Sequence, residues 1–172
     1  MTDIRLKQSG SPFEAVTLDF LLTPLGDLDT EHELATAVTV ALCTDRRADD
    51  ADTLPDPNSA DRRGWWADAD ARQIWDGWPI GSRLWLLSRA SITPSGAREG
   101  STTARAEAYI REALEPFTDP QRRIASRVEV DVVRNGTERI DAQVTLYRGR
   151  EQPVALVFED LWRGIRVSLP YA

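Results

Sequence analysis

The spacing of apolar residues changes along this chain, and each spacing predicts a different element. Near the N-terminus Val16, Leu18 and Phe20 alternate with Thr17, Asp19 and Leu21. That period of two predicts a half-buried strand within an extended stretch from Glu14 to Leu22, and Asp3 to Leu6 also reads as extended. Pro24-Leu25-Gly26-Asp27 then has turn composition. The period lengthens at Leu34, Ala37, Val38, Ala41 and Leu42, which share one face of a helix ending near Cys43 or Thr44. Thr30 and Glu33 have the spacing of a capping box at its start. A second helical stripe, Ala106, Tyr109, Ile110, Ala113, Leu114 and Phe117, predicts a helix from Thr102 or Thr103 that Pro116 kinks or ends. Asp119-Pro120 resembles an N-cap with proline at N1, opening one short helical turn.

The C-terminal third returns to a period of two. Val128, Val130 and Val132 alternate with Glu129 and Asp131. Asn135-Gly136 is a strong signal for a two-residue hairpin turn, because both central residues need positive φ. The return strand puts Ile140, Ala142, Val144 and Leu146 on one face and Asp141, Gln143, Thr145 and Tyr147 on the other. Arg148-Gly149-Arg150 turns the chain into a third strand carrying Val154, Leu156 and Phe158. The expected architecture is α+β, with helices packed on one side of a mainly antiparallel sheet and a C-terminal three-stranded meander. A single domain is expected over residues 1–172, with an irregular Asp/Arg/Trp-rich segment at 45–80.

Within that irregular segment, residues 45–58 hold five aspartates and two prolines and no apolar face. Asp61-Arg62-Arg63-Gly64 leads into Trp65-Trp66. Gly81 to Leu87 reads as a short helix capped by Ser82, and Ser91 to Ser101 as a loop.

Composition narrows the partners. The 172 residues carry a formal net charge of −7, which repels nucleic acid and anionic lipid and favours basic partners. Cys43 is the single cysteine, so no internal disulfide can form and a reducing compartment is suitable. No apolar run approaches the ~20 residues that span a bilayer, and the first residues lack a signal-peptide core, so synthesis in the cytosol is expected.

Catalytic chemistry is hard to assemble from these residues. His32 is the sole histidine, in the first turn of a helix where the dipole disfavours a cation. It has no second histidine or further cysteine for a zinc site or a nucleophile–base pair. Cys43 closes an apolar helical face and reads as a buried, inert thiol. Asp45, Asp49, Asp50, Asp52 and Asp56 lack the glycine and closing glutamate of a calcium loop, and read as a solvated acidic loop. No phosphate-binding or dinucleotide glycine pattern occurs, and no carboxylate pair stands out as a glycosidase site. No cofactor, metal or catalytic residue is assigned.

The tryptophans are the compositional oddity. Five of the six fall between Trp65 and Trp85, interleaved with arginines. Trp and Arg are enriched where proteins bind one another strongly. Arg62, Arg63, Trp65, Trp66, Trp78 and Arg83 are therefore candidate interface residues. The competing reading makes Trp65, Trp66 and Trp85 core plugs of a loop-rich region.

Three motifs in this region occur in a familiar order. Thr44-Asp45-Arg46-Arg47-Ala48, Asp61-Arg62-Arg63-Gly64-Trp65-Trp66 and the run from Ile80 to Arg89 closely resemble baseplate proteins of Mu-like phages, the gene product 46 family. That family in turn is similar to the small baseplate wedge proteins of contractile tails, the W protein of P2-like phages and gene product 25 of T-even phages. The resemblance implies a structural subunit of a phage or phage-derived contractile tail, made in the bacterial host cytoplasm and assembled into the virion baseplate. Implied partners are larger wedge proteins, the tail sheath and the central spike or hub, with no nucleic acid or membrane. Wedge relatives carry Glu-Pro-Arg before the first C-terminal strand. Here the residues are Ala125-Ser126-Arg127, and Arg127 joins the expected interface by resemblance. Some wedge relatives are described as lysozyme-like, so a tail-associated peptidoglycan hydrolase is the alternative expectation.

Overall fold

The computed structural model describes residues 6–9, 17–20, 22–27, 33–74, 77–88, 102–122, 124–135, 139–149 and 153–158. Its largest element is an antiparallel sheet of β3 (Arg127–Asn135), β4 (Arg139–Tyr147) and β5 (Val154–Phe158), in that spatial order. The register pairs Val130 with Val144 and Val144 with Leu156, so apolar side chains line up across all three strands. Ile140, Ala142, Val144 and Leu146 are almost fully buried on this face. Glu129, Asp131 and Gln143 on the other face are exposed. This is the alternation expected from the sequence, with one dry and one wet face.

Two helices cover the dry face. Helix α3 (Thr102–Leu114) buries Ala106, Tyr109, Ile110, Ala113 and Leu114 and lies against β3. Helix α1 (Glu33–Cys43) buries Leu34, Val38, Ala41 and Leu42 between α3 and β5. Both stripes are those of the 3.6-residue period. The fold is α+β, with the helices on one side of the sheet. Pro116 does end the α-helix, which tightens into a 3₁₀ turn at Glu115–Thr118 and buries Phe117.

Several local expectations are corrected. Asp119 opens a turn and not a helix: its Oδ1 accepts from the Gln121 amide at 2.7 Å. Ser82 is not a helix cap. Its Oγ donates to the Leu42 carbonyl at 2.8 Å, while the 3₁₀ helix Leu84–Leu87 starts without a side-chain cap. The segment at 45–80 is less irregular than expected, since it holds a 3₁₀ turn (Trp66–Asp70) running into a short helix α2 (Ala71–Ile74). The strand expected between Glu14 and Leu22 is present as β2 (Thr17–Phe20), paired antiparallel with β1 (Leu6–Ser9) in a separate sheet. Thr30, His32 and the Gly136 half of the predicted turn lie outside the described residues.

Candidate functional site

The arginine-rich segment is organised by one backbone crossing. After α1 the chain leaves at Thr44 and meets Ser82 coming back. The Ser82 amide donates to the Thr44 carbonyl at 2.9 Å, and the Arg46 amide donates to the Ser82 carbonyl at 3.0 Å. Gly81 makes this approach possible. Its φ is 109°, and a Cβ there would lie 2.6 Å from the Thr44 carbonyl oxygen. A second tie, Ala48 amide to Arg62 carbonyl at 2.9 Å, folds residues 45–62 into a closed loop.

Carboxylates and guanidiniums fill this frame. Arg83 grips Glu112 of α3 with Nε to Oε2 at 2.9 Å and Nη2 to Oε1 at 3.0 Å. Its Nη1 donates to Asp49 at 2.6 Å and to Asp52 at 2.9 Å, while the guanidinium lies over the Tyr109 ring. Arg46 adds a longer contact to Glu112 at 3.4 Å. Burial alone would lower the Arg83 pKa, but hydrogen bonds to Glu112 and Asp52 outweigh it and hold the group above its ordinary value. One arginine thus joins the acidic loop to α3 through three carboxylates.

Arg63 repeats the arrangement. Its Nη1 donates to Asp45 at 2.7 Å, and its guanidinium stacks 4.5 Å from the Trp85 ring centroid. Trp85 is buried, with its indole N–H donating to the Arg46 carbonyl at 2.8 Å. Burial raises the Asp45 pKa, opposed by Arg63 and assisted by Asp61. Burial first, and then the Asp45 charge, raises the Cys43 thiol, which makes it a poor nucleophile. Arg62 donates to the Asp49 and Asp50 carbonyls.

The candidate interface residues therefore occupy different settings. Arg62, Arg63 and Arg83 turn into the chain and neutralise its own acidic loop. The aspartates expected to be a solvated run are, in Asp45, Asp49 and Asp52, their partners. Trp78 and Trp65 are half-buried, whereas Trp66 is 83% exposed. Trp65 and Trp66 contact each other with ring centroids 5.6 Å apart. Arg127 sits far along the fold at the start of β3, stacked on Tyr147 at 4.1 Å and paired with Glu129 at 3.1 Å. The Tyr147 hydroxyl donates to the same Glu129, and this raises its pKa.

The residues from 34 to 153 match the family described as phage protein GP46. Baseplate protein gp46 of Escherichia phage Mu is 43% identical over 127 residues, which span 74% of this chain and 79% of that protein.

The chain belongs to the phage protein GP46 family.

The matched span begins inside α1 and ends just before β5, so the crossing, the Arg83 clamp and strands β3 and β4 all lie within the region this family defines. The β1–β2 hairpin precedes it. No solved structure matches the chain. Sequence reasoning missed two residues of this GP46-family site. Glu112 flanks the α3 apolar stripe beside Tyr109 and Ala113, a placement that marks a half-buried carboxylate. Arg47 stands beside Arg46 in the first arginine motif, and the motif alone does not distinguish an inward guanidinium from an outward one. Among the described residues no group of three or more His, Cys, Asp or Glu side chains is arranged to hold a metal. An open depression beside α3 is lined by Glu112 and Glu115, but the Glu112 carboxylate is taken up by Arg83 and Arg46.

Proposed function

We propose that this chain is a structural subunit of a contractile-tail baseplate, a single wedge domain that acts by holding neighbouring subunits and not by catalysis. The observation that carries this reading is the 43% identity to the baseplate protein of phage Mu over most of both chains. The structure supports it chemically. The acidic residues nearest to an active-site-like grouping, Asp45, Asp49, Asp52 and Glu112, are committed to arginines of the same chain. A glycosidase needs one such acid free to give up a proton beside another that stays ionised.

On this reading the partners are larger wedge proteins and the first sheath ring, as in the W and gene product 25 group, with the central spike or hub beyond them. Trp66 offers the most exposed contact of the candidate set, with Arg127 at a second position. Co-expression with a large wedge protein of the same tail, followed by size-exclusion chromatography, tests the assignment. Co-elution as one complex is expected. Two separately eluting proteins, or release of soluble fragments from purified murein by the chain alone, would overturn it.

A further inference from the structure

We propose that Trp66 and Arg47 form the anchor of the assembly contact, and that it takes a protein surface with an apolar socket rimmed by carboxylates. This rests on the baseplate reading and specifies which residues make the contact.

The argument starts from how the arginines are used. Arg46, Arg62, Arg63 and Arg83 all spend their guanidiniums on carboxylates or carbonyls of this chain. Arg47 lies among them in sequence, yet it is exposed and makes no ion pair or side-chain hydrogen bond with the described residues. Among the described residues of this cluster it is the cation left over. It lies against Gly64, the residue that precedes Trp65 and Trp66, because the site of a Cβ on Gly64 is only 2.9 Å from the Arg47 Cβ.

The backbone shows that this presentation is built. Arg63 has φ 50° and Gly64 φ 114°, two successive left-handed residues. The first is a strained setting for arginine and persists only where the surroundings fix it. Here the fixing contacts are the Arg63–Asp45 pair, the Ala48–Arg62 backbone bond and the Arg62 grip on the Asp49 and Asp50 carbonyls. The reversal sends Arg63 inward over Trp85 and leaves Trp66 outward at the start of its 3₁₀ turn. A backbone fixed before binding has less freedom to lose on association, which favours a strong anchor at the side chain it presents.

Charge selects the occupant. The Arg47 guanidinium, which has no acidic partner among the described residues, calls for carboxylates on the partner, and the indole for an apolar socket between them.

The test uses tail particles assembled without this chain, to which the purified full-length protein is added. The readout is the amount of chain retained after gradient sedimentation. Wild type is expected to incorporate. W66A should need at least about tenfold more protein for the same incorporation, as for a hot-spot residue. R47E should lose more than R47A, and R47K should retain most binding. Thermal unfolding midpoints of all variants should match wild type, since neither side chain is buried.

Normal incorporation of W66A with wild type overturns the proposal while leaving the baseplate reading intact. Failure of wild type itself overturns both. Loss in W66A with R47E unaffected removes the carboxylate rim. A dimer of the isolated chain in analytical ultracentrifugation that W66A dissolves would put a second copy in the partner's place and refute the proposal.

Discussion

Arg83 and Glu112 meet fork to fork, with Nε to Oε2 at 2.9 Å and Nη2 to Oε1 at 3.0 Å. The Arg83 side chain is 17% exposed and that of Glu112 23%. The planar guanidinium satisfies both carboxylate oxygens at once and still has an Nη1 to offer Asp49 and Asp52. The pair is the bolt between the loop after α1 and the helix that covers the sheet.

Removing this bolt leaves Asp52 and Asp49 without the Arg83 cation and Glu112 with only its longer Arg46 contact. Arg83→Ala is expected to cost about 3 kcal/mol, the usual range when one partner of a shielded pair is deleted. Arg83→Lys keeps the charge but loses the fork, and should cost about 1–2 kcal/mol. Urea unfolding midpoints measure both, and equal stability for Lys and Arg would show that charge alone matters here.

Gly81→Ala places a methyl group against two backbone atoms that cannot rotate away, the Thr44 carbonyl oxygen at 2.6 Å and the Arg46 nitrogen at 2.8 Å. It also imposes a left-handed conformation on a residue that resists it. Destabilisation of about 3 kcal/mol or more is expected. Gly77→Ala is a control for the conformational part, because its φ is 86° but nothing lies within 4 Å of the added Cβ. The difference between the two, read from chemical denaturation, isolates the steric contribution.

Trp85 and Trp66 should separate cleanly by fluorescence. Trp85 is 2% exposed and its N–H serves the Arg46 carbonyl, whereas Trp66 is 83% exposed. Trp85→Phe leaves that carbonyl without its indole partner and should cost about 2 kcal/mol. Trp66→Phe should change stability by less than about 0.5 kcal/mol. Acrylamide quenching should be weaker after Trp66 is replaced and stronger after Trp85 is replaced.

The pH dependence follows from Asp45. Burial raises its pKa in the folded state despite the Arg63 partner. Between the ordinary aspartate value and the raised one, the folded chain holds a proton that the unfolded chain has released. The Asp45 contribution to stability is therefore full below the ordinary value and is lost as pH rises through the raised one. Asp45→Asn should abolish that falling component of the stability-versus-pH profile. A mutant profile parallel to wild type across this window would contradict the assignment.

The strands and helices were readable because their periods are local properties. A residue two or four positions away lies on the same face whatever the rest of the chain does, so Val144 and Leu146, or Ala106 and Ile110, were assigned to the core without any tertiary knowledge. The same logic placed the helices on one side of the sheet, since only one face of each strand is apolar. The family likeness was also legible, in the order of the arginine and tryptophan motifs. What an arginine faces is not a local property. Arg83 and Glu112 are separated by 29 positions and Arg63 and Asp45 by 18, and a guanidinium is equally at home in water or on a carboxylate. Only the crossing of Thr44 over Ser82, allowed by the missing side chain of Gly81, decided that most of these cations turn inward while Trp66 and Arg47 remain outside.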